Sequence, residues 1–216
     1  PKGPFKIIGE LVSPSVIHPW EGQDIDCGPN IARNGDRLLI YYSNVSSQHL
    51  YSLDNVRNRI YQRMYLIRRL GILELKIRGI NNTKTSRYRH NPLRHLNGSF
   101  GSWNESLFCP GYLKLDETHL LFPAASTYSS YPPKQYIGVV ESDSPYFHKN
   151  KSNIHLLIKG SKEKSSIIPS IKGEIALDTP SPIYKPNENR IYLFVSGKDR
   201  TDKKWKIALS TFTIQK

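Results

Sequence analysis

The chain has 216 residues, 38% of them hydrophobic and 23% charged. This is enough apolar material for one folded core and too much for a disordered polymer. Its 31 Lys and Arg against 18 Asp and Glu give a formal charge of +13, which suits an anionic partner such as nucleic acid, a membrane surface or an acidic glycan. The basic residues are dispersed, without the like-charge block of a nucleic-acid tail. No apolar run approaches the roughly 20 residues of a membrane-spanning helix, and "PKGPFKIIGEL" lacks the apolar centre of a signal peptide, so a soluble chain with no membrane partner is expected.

Thirteen Tyr, 14 Gly and 15 Pro against a single Met lean towards strands joined by turns. In chain order, "DIDCGPNIARNGD" gathers special residues ahead of the alternating run "RLLIYYSNV" (37–45). Next comes 48–73, where Leu50, Leu53, Val56, Ile60 and Met64 recur at helical spacing. Its second half, "QRMYLIRRL" (62–70), alternates and is read as a strand. The runs "THLLFPAAS" (118–126), "KQYIGVVES" (134–142), "RIYLFVSG" (190–197) and "KWKIALST" (204–211) follow, all with period two.

These strands come in pairs, each behind a proline-containing segment and a polar turn: "CGPNIARNGD", "CPGYLKLDET" and "TPSPIYKPNEN". Anchored on Pro29, Pro110 and Pro182, the unit recurs every 70 to 80 residues or so. That is longer than a WD40 or kelch blade and leaves room for one four-stranded sheet with long connections. The expectation is an all-β fold, one β-propeller-like domain over 1–216 with blade units at approximately 14–96, 97–170 and 171–216. A two-sheet sandwich built from the same hairpins is the competing architecture.

The segments "DIDCGPNIARNGDRLLIYYSN", "NESLFCPGYLKLDETHLLFPAAS" with "QYIGVVESDSPYF", and "EIALDTPSPIYKPNENRIYLFVSG" with "WKIALST" resemble the five-bladed β-propeller glycoside hydrolases, the clan of arabinanases, β-xylosidases and invertases. The resemblance covers about residues 14 to 211. It implies a glycosidase that cleaves a glycosidic bond with paired carboxylates lining a central funnel. By position, Asp26 would be nucleophile or base, Glu105 the general acid and Asp178 the third carboxylate, with Asp24 the substitute for Asp26. Trp20, Trp103, Asp24 and Asn30 would contact sugar, the indoles as stacking platforms, although blade-packing tryptophans read the same way. Where the clan sets Asp directly before Pro and Glu directly before Cys-Pro, Gly28 here precedes Pro29 and Glu105 stands four residues before Cys109. Three units also fall short of the clan's five, as in part of a longer ring, a compact variant or one protomer of a larger ring. No cofactor or metal is implied. A carbohydrate partner, acidic if the charge is used, is expected ahead of a nucleic acid. The alternatives to hydrolysis are a non-catalytic carbohydrate-binding propeller and a nucleic-acid-binding β protein.

Cys27 and Cys109 form no CxxC pair and read as buried free thiols. The histidines lack HExxH or HxH spacing, which disfavours zinc. "RYRHNPLRH" (87–95) is the densest basic-aromatic cluster and could hold an anionic group or form a solvated loop. "ELKIRG" (74–79) contains the E-x-K of restriction-type nucleases but no accompanying upstream Pro-Asp.

Overall fold

A computed structural model describes residues 11–14, 17–21, 24–45, 67–77, 83–127, 134–159, 176–198, 202 and 204–213. They form three antiparallel sheets. The first is β1 (Asp24–Asn34), β2 (Arg37–Val45), β3 (Leu70–Ile77) and β4 (Thr83–Arg87), hydrogen-bonded in that order. The second repeats the pattern with β5 (Ser106–Leu115), β6 (Thr118–Thr127), β7 (Lys134–Ser142) and β8 (Ser152–Lys159). The third has β9 (Ala176–Lys185), β10 (Arg190–Lys198) and β11 (Trp205–Thr213) among the described residues. No helix among these residues is long and apolar enough to cross a membrane. The fold is an all-β propeller of up-and-down sheets.

Each first hairpin turns on one residue with positive φ: Gly35 (60°), Asp116 (50°) and Asn189 (49°). Gly, Asp and Asn tolerate that conformation best, which is why "NGD", "DET" and "NEN" read as turns. The first strands β1, β5 and β9 lie side by side, β5 against both of the others. The second sheet is therefore sandwiched. Its central strand β6 is buried at every residue after Thr118, and a strand covered on both faces reads as continuous apolar sequence. Leu121 and Ala125 join the core shared with the first sheet, Leu120, Phe122 and Ala124 the core shared with the third. β11 alternates instead, and Trp205, Ile207 and Leu209 are exposed with Ile183 on the face of the third sheet turned away from the second.

Tyrosine locks the first two sheets together. Tyr41 stacks on Tyr112 at 5.1 Å between ring centres, meets Phe147 edge-on at 5.7 Å and donates to the Pro145 carbonyl at 2.7 Å. The second and third sheets meet through a glycine: a Cβ on Gly111 would fall 2.1 Å from the Pro180 carbonyl oxygen and 2.6 Å from Pro182 Cδ. Only a bare α-carbon lets the inner strands approach this closely.

The inner strands share a further device. In β1 the residues between Cys27 and Ile31 bulge opposite Tyr41, in β5 those between Phe108 and Gly111 opposite Pro123, and in β9 those between Asp178 and Ser181 opposite Val195. Pro29, Pro110 and Pro180 sit in these bulges. A proline has no N–H to lose from the ladder, so an unpaired bulge position accepts it. The third structural anchor is thus Pro180, while Pro182 lies beyond the bulge, paired with Leu193. Cys109 (φ 43°) and Thr179 (φ 49°) take the left-handed conformation just before their prolines.

Most strands fall where the alternating runs place them, with one exception. The third strand of the first sheet is Leu70–Ile77, and Ile67 to Arg69 precede it as irregular chain. The rest of "QRMYLIRRL" and the helix-like 48–66 lie outside the described residues.

Candidate active site

Across the neighbouring inner strands, polar groups gather at one end. Ser43, Asn44, Glu105, Ser106, Ser126 and Thr127 are all buried there. Ser106 and Ser126 face each other across β5 and β6. Asn44 Oδ1 accepts from the Arg69 amide at 2.6 Å, and Ser106 Oγ from the Arg68 amide at 2.8 Å. The Arg68 guanidinium lies 5.0 Å from the centre of the Phe108 ring, within cation–π range.

At the centre of this pole is Cys109, a buried free thiol in the β5 bulge. Its Sγ donates to Asp26 Oδ2 at 2.8 Å. The charge of Asp178, from the third sheet, also acts on the thiol. Burial pushes the thiol far above its ordinary range, and the negative charges of Asp178 and Asp26 push it further. Asp178 Oδ1 additionally accepts from the Thr179 amide at 2.7 Å, and its carbonyl accepts from Ser196 Oγ at 3.0 Å. The two aspartates stand one position apart in register: Asp26 precedes the last paired residue before its bulge, whereas Asp178 is that residue. Cys109 stands in the bulge of the sheet between them.

Phe108 occupies the register position in the second sheet that Asp178 holds in the third. Glu105 sits before β5 in the loop 98–105, buried, with Oε2 accepting from the Gly101 amide at 3.3 Å. Asn97 Nδ2 closes that loop onto the Glu105 carbonyl at 3.0 Å.

Of the expected sugar contacts, Asn30 spans two sheets. Its amide nitrogen donates to the Pro110 carbonyl, and its Oδ1 accepts from the Tyr112 amide at 3.3 Å. It thereby satisfies the β5 backbone around the bulge. Trp20 tilts against Tyr42 at 5.5 Å and rests on Gly71 of β3. Trp103 rests on Gly138 of β7, edge-on to Tyr136 at 6.3 Å. Each indole thus covers a glycine on the third strand of its own sheet. The side chain of Asp24, the substitute for Asp26, lies outside the described residues, as does that of Cys27.

Two features went unforeseen. Cys109 as the meeting point of Asp26 and Asp178 had only "FCPG" as a signal. Glu21, wholly buried, accepts from Tyr42 Oη at 2.8 Å and from Arg87 Nε and Nη2 at 2.6 and 2.9 Å. This pair ties the 3-10 turn Pro19–Glu21 to β2 and β4, and a fixed fork of donors on a carboxylate suits arginine.

No protein-family model matches this sequence, and no curated protein sequence does. Solved structures match it by fold. A GH32 β-fructofuranosidase from Bombyx mori superposes at TM-score 0.54 and 9% identity over 88% of this chain and 34% of its own. An α-L-arabinofuranosidase from Lactobacillus brevis gives 0.54 and 12% over 88% and 50%. A family 117 glycoside hydrolase from Zobellia galactanivorans gives 0.56 and 14% over 94% and 56%. The chain therefore has the β-propeller fold of these glycoside hydrolases, and it spans about a third to just over half of the length of the structures named.

Proposed function

We propose that this pole is a carbohydrate site of the glycoside-hydrolase kind, in which Asp26 and Asp178 are the two carboxyl groups that work on a glycosidic bond. The observation that carries the reading is that both bear on one thiol from two different sheets, Asp26 through a 2.8 Å hydrogen bond and Asp178 through its charge. Glycosidases set their carboxyl pairs about 5 to 5.5 Å apart for retention and about 6.5 to 9.5 Å for inversion. In this assignment Asp26 attacks the sugar or activates water, and Asp178 serves the leaving oxygen. The general-acid role expected of Glu105 is given to Asp178, because Asp178 bears on the same thiol as Asp26 while Glu105 sits before β5 in the loop 98–105. The formal charge of +13 supports an anionic glycan as substrate.

One observation favours a second reading, a propeller that binds glycans without cleaving them. The second sheet offers Phe108 where the third offers Asp178. Turnover of aryl furanosides and pyranosides, alongside glycan binding, separates the two. Hydrolysis predicts that Asp26→Asn and Asp178→Asn each lower turnover by about 100-fold or more. Glycan binding by the unaltered chain without turnover supports the second reading, and undiminished turnover in both variants removes the carboxylate assignment.

A further inference from the structure

A concavity lies between the first and second sheets, on the side of β4 and the connection after β7. It has a volume of about 290 Å³, near the lower end of the range that holds small ligands. Tyr88, which directly follows β4, and Tyr146 with His148, from the connection after β7, line it as one contiguous aromatic cluster. β4 is three strands outward from β1, roughly 14 Å. None of the lining residues belongs to the Asp26–Cys109–Asp178 cluster.

The walls are ordered by their own contacts. Tyr88 lies 4.8 Å from Tyr146 and 5.2 Å from His90 between ring centres, and Tyr146 stacks on His148 at 5.8 Å and 23°. Tyr88 Oη is 3.2 Å from His148 Nδ1. Leu93 and Phe147 are buried beneath, and His95 Nε2 is 2.8 Å from the Phe147 carbonyl oxygen. Aromatic faces with polar edges suit a ligand that has an apolar face and a polar rim.

The charge is one-sided. Lys149 and His148 are exposed at the mouth. Burial holds the His95 imidazole below the ordinary histidine range, and the positive charges of Lys149 and His148 add to that. The carboxylates of the flanking strand and loop are occupied: Glu74 by Arg37 at 3.0 Å and Tyr146 Oη at 2.8 Å, Asp143 by Lys151 at 2.8 Å. A site with an aromatic lining, an exposed lysine, imidazole hydrogen-bonding groups and paired carboxylates suits a sugar residue that carries an acid group.

We propose that this inter-sheet pocket is a second carbohydrate site, separate from the carboxylate pole, which binds one anionic sugar residue through Tyr88, Tyr146, His148 and Lys149. It would hold an acidic glycan beside the propeller while the pole engages another part of the chain.

Titration calorimetry of the full chain with glucuronate, glucose 6-sulfate and neutral glucose tests it. The expected result is that at least one of the two anionic sugars binds at millimolar or lower concentration and glucose binds about fivefold more weakly or worse. His148→Ala and Lys149→Ala, both at exposed positions, each weaken the anionic sugar by about fivefold, the loss of one charge-assisted contact. Lys114→Ala, which removes a charge elsewhere in the second sheet, leaves affinity unchanged. Equal binding of glucose, no binding of either anionic sugar, or undiminished affinity in His148→Ala and Lys149→Ala would overturn the proposal.

Discussion

The Cys109 thiol donates to Asp26 Oδ2 at 2.8 Å, across the boundary between the second and first sheets. The charge of Asp178, from the third sheet, bears on the same thiol. A thiol has one hydrogen to give and Asp26 takes it, a donor that a sugar hydroxyl could replace. The same contact makes this end of the propeller sensitive to how closely β5 approaches its neighbours.

That closeness depends on Gly111. A methyl group there would meet the Pro180 carbonyl and the Pro182 ring well inside contact distance, and backbone cannot swing aside as a flexible side chain can. Gly111→Ala is expected to cost about 3 kcal/mol or more in urea unfolding, the upper end of overpacking effects. Gly35→Ala meets no atom within 4 Å but keeps φ at +60° and should cost about 1 to 2 kcal/mol.

The buried Glu21–Arg87 pair fixes the segment before β1 to the outer strands. Arg87→Met removes both guanidinium hydrogen bonds from Glu21 and should destabilise by about 3 kcal/mol, since a buried carboxylate loses its counter-charge. Glu21→Gln combined with Arg87→Met should cost clearly less than the sum of the single changes, measured as a double-mutant cycle.

Stability should fall on mild acidification. Burial lowers the pKa of both His95 and His119 from the ordinary value of 6.5. Below that value the unfolded chain takes up protons that the folded chain resists, so stability is complete above about pH 6.5 and is lost as the pH drops beneath it. The melting temperature should fall between pH 7 and pH 5. His95→Gln with His119→Gln should flatten that slope, whereas His155→Gln, at an exposed position, should leave it unchanged.

Much of the architecture was legible because the forces that set it are local. The alternating runs at β10 and β11 follow from the two faces of a strand, the near-continuous apolar runs at β2 and β6 from burial on both faces, and the turn signals from the positive φ of Gly35, Asp116 and Asn189. The sites were less legible because they depend on register. The bulge of β1 sets three residues against one, those of β5 and β9 two against one, so spacing from a proline cannot tell which side chain reaches the pole. Pro182 looks as good an anchor as Pro180 in "TPSP" for the same reason. Trp20 and Trp103 stand before their inner strands where a stacking platform would, but the glycines they cover lie on β3 and β7, far away in sequence. The cluster "RYRHNPLRH" was visible as basic and aromatic, and only the fold adds Tyr146 and His148 to it.

The central claim is that Asp26 and Asp178, from different sheets, converge on Cys109, and titration of that thiol tests it without knowledge of any substrate. In a Cys27→Ser background, thiolate absorbance or alkylation rate followed against pH should place Cys109 well above the ordinary thiol range. Asp26→Asn and Asp178→Asn should each bring it down, the two together further, while Glu105→Gln leaves it in place. A Cys109 thiol that titrates normally, or one that responds to Glu105→Gln but to neither aspartate, would contradict the account.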